Sequence, residues 1–137
     1  MRQSPLLTFT SNLFVVEPGE DLETNPGIFG RSFARWLSTT LGSIGLSTGE
    51  VFAEDFGWCF TVDAGSRKTT VACASGSEAP TQWRVFVFAE DGLFARIRGG
   101  DRSSESVEEV HSSIHALLSA HPDVHDLFVE SPDHDDA

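Results

Sequence analysis

The chain has no tyrosine, one methionine and two cysteines among its 137 residues. Eleven phenylalanines and three tryptophans carry the aromatic content. Phenylalanine without tyrosine favours dry packing over hydroxyl-tipped recognition. Two cysteines, Cys59 and Cys73, are too few for a disulfide framework. Each falls in a strand-like run, and a hairpin around Ala64-Gly65-Ser66-Arg67 can bring them near each other. The expectation is two small buried hydrophobes in a reducing compartment, where disulfides are rare.

Basic residues are also scarce, nine against twenty-one acidic ones, for a net charge of −12. A field of that sign repels nucleic-acid phosphates and anionic membrane, which excludes both as expected partners. No apolar run approaches the roughly 20 residues that span a bilayer. Met1 to Pro5 precede only a short apolar patch, broken by Thr8, Thr10, Ser11 and Asn12, with no small-residue cleavage site after it. No signal peptide is therefore expected, and the expected compartment is the cytoplasm. GxSxG, HExxH and phosphate-loop patterns are missing too. No catalytic residue and no cofactor is expected, and the reading is not an enzyme.

The length suits one domain, taken as residues 1–130, with 131–137 as an acidic, disordered tail. Residues 1–100 hold eleven acids against eight bases, a net of −3, and residues 101–137 hold ten against one, a net of −9. This uneven field would attract a basic protein or simply solvate a helix face and a tail.

The patterning predicts a first strand over Leu6–Val16, densest at Leu13–Val16, followed by an acidic loop from Glu17 to Glu23. Asn25 as cap and Pro26 as first residue predict a helix whose stripe is Phe29, Phe33, Trp36, Leu37, Leu41 and Ile44. Gly45 suits its left-handed end, with Leu46 folding back on Leu41. Strands are expected over Val51–Glu54, Trp58–Asp63, Thr69–Ala74 and Gln82–Glu90. The last is bulky on both faces and so central. Asp91-Gly92 signals a hairpin to a strand over Leu93–Arg98. A second helix begins near Ser103, Ser104 or Ser106, buries Val107, Val110, Ile114, Leu117 and Leu118, and stops at Pro122. Asp126–Glu130 reads as a last short strand or turn. The fold class is α+β: an antiparallel meander of five or six strands with two amphipathic helices on one face, in the order β-α-β-β-β-β-β-α.

Three constellations could carry chemistry. Glu54-Asp55-Phe56-Gly57-Trp58 joins two carboxylates to two aromatics around a glycine. Adjacent strand residues point to opposite faces, so its carboxylates do not converge by default. It reads either as a turn anchored in the core or as an acidic-aromatic edge offered to a partner, with Glu20, Asp21 and Glu23 as rim. Arg31 and Arg35, one helical turn apart, can clamp a phosphate or carboxylate, or pair with Glu54, Asp55 or the acidic loop. His111 and His115 have i, i+4 zinc spacing, but the further ligands a structural zinc needs are not found.

The block NPGIFGR…FARWL…GEVFAEDFGW resembles small bacterial proteins that pair an NPG-start helix with an ED-aromatic-GW turn. Several acidic domains of that kind act as immunity proteins against secreted toxins. The resemblance implies a cytoplasmic module, monomer or homodimer, that binds a basic protein partner. It carries over no catalytic residue. A second analogy is the type III secretion chaperone, an acidic partner-binding homodimer. Those domains begin with a helix, whereas this chain is expected to begin with a strand. A third alternative is a small-ligand or enzyme domain with Arg31, Arg35 and Glu54 in one cleft.

Overall fold

In the computed structural model, described over residues 2–64, 67–76, 81–89 and 103–130, the period-two runs fold as antiparallel strands. In chain order they are β1 (Arg2–Gln3), β2 (Leu6–Thr10), β3 (Ile28–Phe29), β4 (Ser47–Thr48), β5 (Phe52–Glu54), β6 (Gly57–Ala64), β7 (Arg67–Gly76), β8 (Gln82–Ala89) and β9 (His125–Glu130). The helices are α1 (Arg31–Ser43) and α2 (Ser103–Ala120). The nine described strands belong to one sheet with the path β4-β6-β7-β8-β2-β9. The short strands fill its rows: β5 pairs β6 beyond β4, β3 pairs β7 beyond β6, and β1 pairs β8 beyond β2. Among the described residues the fold is α+β, a meander-like antiparallel sheet with two helices. The meander is β5 to β8. The first long strand, β2, then inserts between β8 and the last strand, β9.

Trp58, Phe60 and Val62 of β6 register with Cys73, Val71 and Thr69 of β7, and Cys73 and Val71 with Val85 and Val87 of β8. This inner face meets Phe33, Leu37 and Leu41 of α1 and Val107, Val110, Ile114 and Leu118 of α2 in one core. Each apolar stripe has its counterpart there, and removal of this surface from water is the main stabilising term. The central place expected of Gln82–Glu90 is seen in β8, which lies between β7 and β2.

Four expectations need correction. Leu13–Val16 is not strand: β2 ends at Thr10. The Ser11 hydroxyl accepts from Leu13 N–H at 3.0 Å and turns the chain. Phe14 then enters the core among Phe33, Trp36 and Trp83. Aromatic packing thus outweighs β propensity in this run.

The first helix starts at Arg31 rather than Pro26. Asn25 to Ile28 closes a turn, with Ile28 N–H donating to Asn25 C=O at 3.0 Å, and Phe29 pairs with Ser75 in β3. Ile44 lies exposed beyond the last turn instead of extending the stripe. The expected ending is there: Gly45 has φ 105°, Gly45 N–H donates to Gly42 C=O at 3.1 Å, and Leu46 N–H donates to Leu41 C=O at 3.1 Å. Those two bonds are the Schellman pattern.

The predicted order is also incomplete, because β1, β3 and β4 are too short to leave a periodic signal, and the chain's last described element is a strand. Of the strand or turn expected over Asp126–Glu130, the strand is found, as His125–Glu130, paired with β2 across an irregularity between Thr8 and Thr10. The expected Asp91-Gly92 hairpin, the strand over 93–98 and the tail over 131–137 lie outside the described residues.

Candidate functional site

The acidic loop is built into the fold. Glu20 is 1% exposed. Its Oε1 accepts from the N–H groups of Gly30 at 2.8 Å and Arg31 at 3.0 Å, and its Oε2 accepts from Glu17 N–H at 2.7 Å. A carboxylate here satisfies orphan donors and complements the helix dipole, which the first turn of α1 otherwise meets with no acidic residue. Asp21 Oδ2 accepts from Gly27 N–H at 2.9 Å. Glu20 and Asp21 therefore hold the start of α1 and are not a free rim; Glu23 remains exposed.

Arg31 and Arg35 do not form a clamp. The Arg31 Nε and Nη2 both donate to Glu17 Oε1 at 2.8 Å, and its guanidinium carbon lies 5.2 Å from the Trp58 ring centroid. Ion pair and cation–π contact thus occupy it. Arg35 faces a different place, an open groove of about 450 Å³ lined with Ser38, Thr39, Gly49, Glu50 and Val51. Glu54 lines neither site, so the single cleft joining Arg31, Arg35 and Glu54 does not form.

The Glu54–Trp58 segment is a tight hairpin. Glu54 registers with Gly57, leaving Asp55 and Phe56 as the turn. A Cβ on Gly57 would sit 2.5 Å from the Cys73 carbonyl oxygen, so β6 can approach β7 there only with glycine. The turn sends its two aromatics to opposite faces. Trp58 is 4% exposed in the core, with its Nε1 buried and without a partner, so it is not available to a binding protein. Phe56 is 44% exposed on the outer face, which no helix covers among the described residues.

That outer face is where the structure adds residues the sequence reading did not single out. Phe56 stacks at 6.2 Å from both Phe86 and Phe88 of β8, which lie 5.8 Å from each other. Strand β7 runs between, and Phe86 registers with Ala72, which registers with Cys59 and thence with Phe52 of β5. Small residues under a roof of rings are thereby buried, while Phe52 stays 38% exposed. Glu54 and Asp55 stand exposed at the hairpin end of this patch. The signal for Phe86 and Phe88 was present as the two bulky faces of β8. Phe52 gave none.

The thiols offer no chemistry. Cys59 lies on the outer face and Cys73 on the inner, since Cys59 registers with Ala72 and Cys73 with Trp58. Burial, with a smaller contribution from the Glu54 charge, pushes the Cys59 thiol up to about 12. Burial, then Cys59, raises Cys73 well above the usual thiol range. On α2, the His111 Nε2 is buried without a partner, and burial together with the charge of His115 lowers its pKa. His115 Nδ1 lies 3.4 Å from Ser119 Oγ. Among the described residues no three side chains group to hold a metal, and no helix is long and apolar enough to cross a membrane.

Comparison with known proteins brings no match: no family model, no curated protein and no solved structure matches the chain.

Proposed function

We propose that this chain is a protein-binding module of the immunity or inhibitor type, whose recognition surface is the outer face of the sheet, opposite α1 and α2, at the β5–β6 hairpin. Phe52, Phe56, Phe86 and Phe88 are its apolar centre, and Glu54 and Asp55 its rim. The observation that carries this reading is Phe56, a large ring left 44% exposed on a cluster of rings. Aromatic anchors inside a polar rim are the usual energetic centre of an interface. The net charge of −12 attracts a basic partner, and exposed Glu54 and Asp55 place two of its acids beside the rings. In this reading the module works by occupying its partner's surface.

A photo-crosslinking phenylalanine analogue placed at Phe56, and in parallel at exposed Ser112 on α2, tests this in the native host. The expected result is one discrete protein adduct from position 56 and none from 112. The purified partner should bind the wild-type chain in a salt-sensitive manner and lose affinity for Glu54→Lys and for Phe56→Ser. Equal labelling from both positions, or binding unchanged by both substitutions, rejects the reading.

A further inference from the structure

The outer face ends at the edge of the sheet, and that edge has features of its own. Strand β5 pairs with β6 alone; among the described residues no strand lies on its other flank. Glu54 and Gly57 flank a two-residue turn and form a hydrogen-bonded pair, so the next pair, Ala53 with Trp58, is the non-hydrogen-bonded one. The N–H and C=O of Ala53 therefore point outward. Immediately before β5, Gly49, Glu50 and Val51 form one wall of the groove of about 450 Å³, and Arg35, Ser38 and Thr39 of α1 form the other. Gly49 is spoken for: its N–H donates to Thr61 C=O at 2.9 Å and its C=O accepts from Ser38 Oγ at 3.3 Å. Arg35 makes no ion pair among the described residues, although Glu50 lines the same groove.

An open strand edge beside a helix, with a cation between them, fits one kind of occupant. We infer that the partner attaches by β-augmentation: an extended peptide segment adds as a strand along Phe52–Glu54. Its side chains alternate as strand side chains do. Those on the outer side pack apolar surface against Phe52, which is 38% exposed. Those on the inner side enter the α1 groove, where one carboxylate meets the Arg35 guanidinium. Glu50 disfavours a second acid beside it, so the segment carries a single acid on this face rather than a run. The inference rests on the protein-binding reading above and assigns its mode of attachment. The partner can be basic overall and still present this segment.

A random peptide library displayed on phage, selected on the purified chain, is the probe. Two variants decide the outcome. Ala53→Pro removes the outward N–H, a position where an edge strand tolerates proline. Arg35→Glu reverses the groove charge without touching the strand. Each should melt within a few degrees of wild type, because neither group is used inside the fold among the described residues. Selected peptides should carry alternating apolar residues with one acid, protect the Ala53 amide from exchange, and lose at least about fivefold in affinity on each variant. Peptides that bind both variants as tightly as wild type but fail on Phe56→Ser overturn the edge mode and leave the outer-face reading standing. Absence of any enriched peptide, or binding unaffected by all three substitutions, overturns the edge mode outright. The fate of the reading beneath it is then decided by the crosslink at Phe56.

Discussion

The Glu20 carboxylate closes the N-terminus of α1 from ten residues upstream, with Oε1 2.8 Å from the Gly30 nitrogen. Gly30 itself has φ 148° and offers no side-chain cap, so the anion does the capping from a distance. Glu20→Ala strands the buried N–H of Gly30 and the half-buried N–H groups of Arg31 and Glu17. It should cost about 1–3 kcal/mol by urea denaturation. Glu20→Gln keeps one acceptor at equal volume but sets its amide against the Glu17 N–H, so it too should lose stability. A glutamine variant as stable as wild type would show that packing, not hydrogen bonding, is what Glu20 supplies.

Gly57→Ala tests the close approach of β6 to β7. The added methyl would sit 2.5 Å from the Cys73 carbonyl oxygen and 3.2 Å from the Ala74 Cβ, so backbone must move. A loss of about 1–3 kcal/mol is expected, the usual range for overpacking. Gly45→Ala is the control: it has open space around its Cβ, and its cost comes only from the left-handed backbone, φ 105°. Gly57→Ala should broaden amide signals along β7, and Gly45→Ala should leave them unchanged. Similar spectra for the two would remove the steric account.

What the sequence disclosed and what it hid divide along a physical line. The α1 ending at Gly45 and Leu46, the stripe of α2 and the central place of β8 are local or periodic signals, and each was legible. The start of α1 escapes a local reading because its cap is not a neighbour. Glu20 sits ten residues away, while Asn25-Pro26, which has the local appearance of a helix start, closes a turn instead. Phe14 has the sequence appearance of strand because an apolar run looks the same whether it joins a ladder or plugs a core. The outer-face patch was half legible. Phe86 and Phe88 advertised themselves by alternation, but their meeting with Phe56 depends on strand order, which no single stretch encodes.

The two thiols should be silent in the native state. Cys59 is fully buried and raised to about 12, and Cys73 is buried on the other face. A thiolate is the reactive form, so a disulfide reagent at pH 8 should titrate neither cysteine until urea is added, and then both. Oxidation should yield no intramolecular bridge in the folded chain, because the side chains project from opposite faces of adjacent strands. Rapid modification of Cys59 in native buffer would mean that the Phe52–Phe56 roof opens easily.

His111 ties stability to pH. Its pKa is lowered from 6.5 in the folded chain, by burial first and by the charge of His115 second, so the unfolded chain binds the proton more readily. Between the lowered folded value and 6.5 the unfolded state holds more protons, and stability rises with pH across that window. Above 6.5 the ring is neutral in both states and the penalty is gone. Denaturation midpoints should therefore fall as pH drops below 6.5, apart from the contribution of the carboxylates at lower pH. His111→Leu fills the same half-buried place without a proton site, and removes a ring whose Nε2 is buried without a partner. Its stability should change less than the wild type's from neutral pH to pH 5.5. His115→Gln, which removes only the neighbouring charge, should fall between them. If the leucine variant follows the wild-type profile across that range, His111 is not the titrating group.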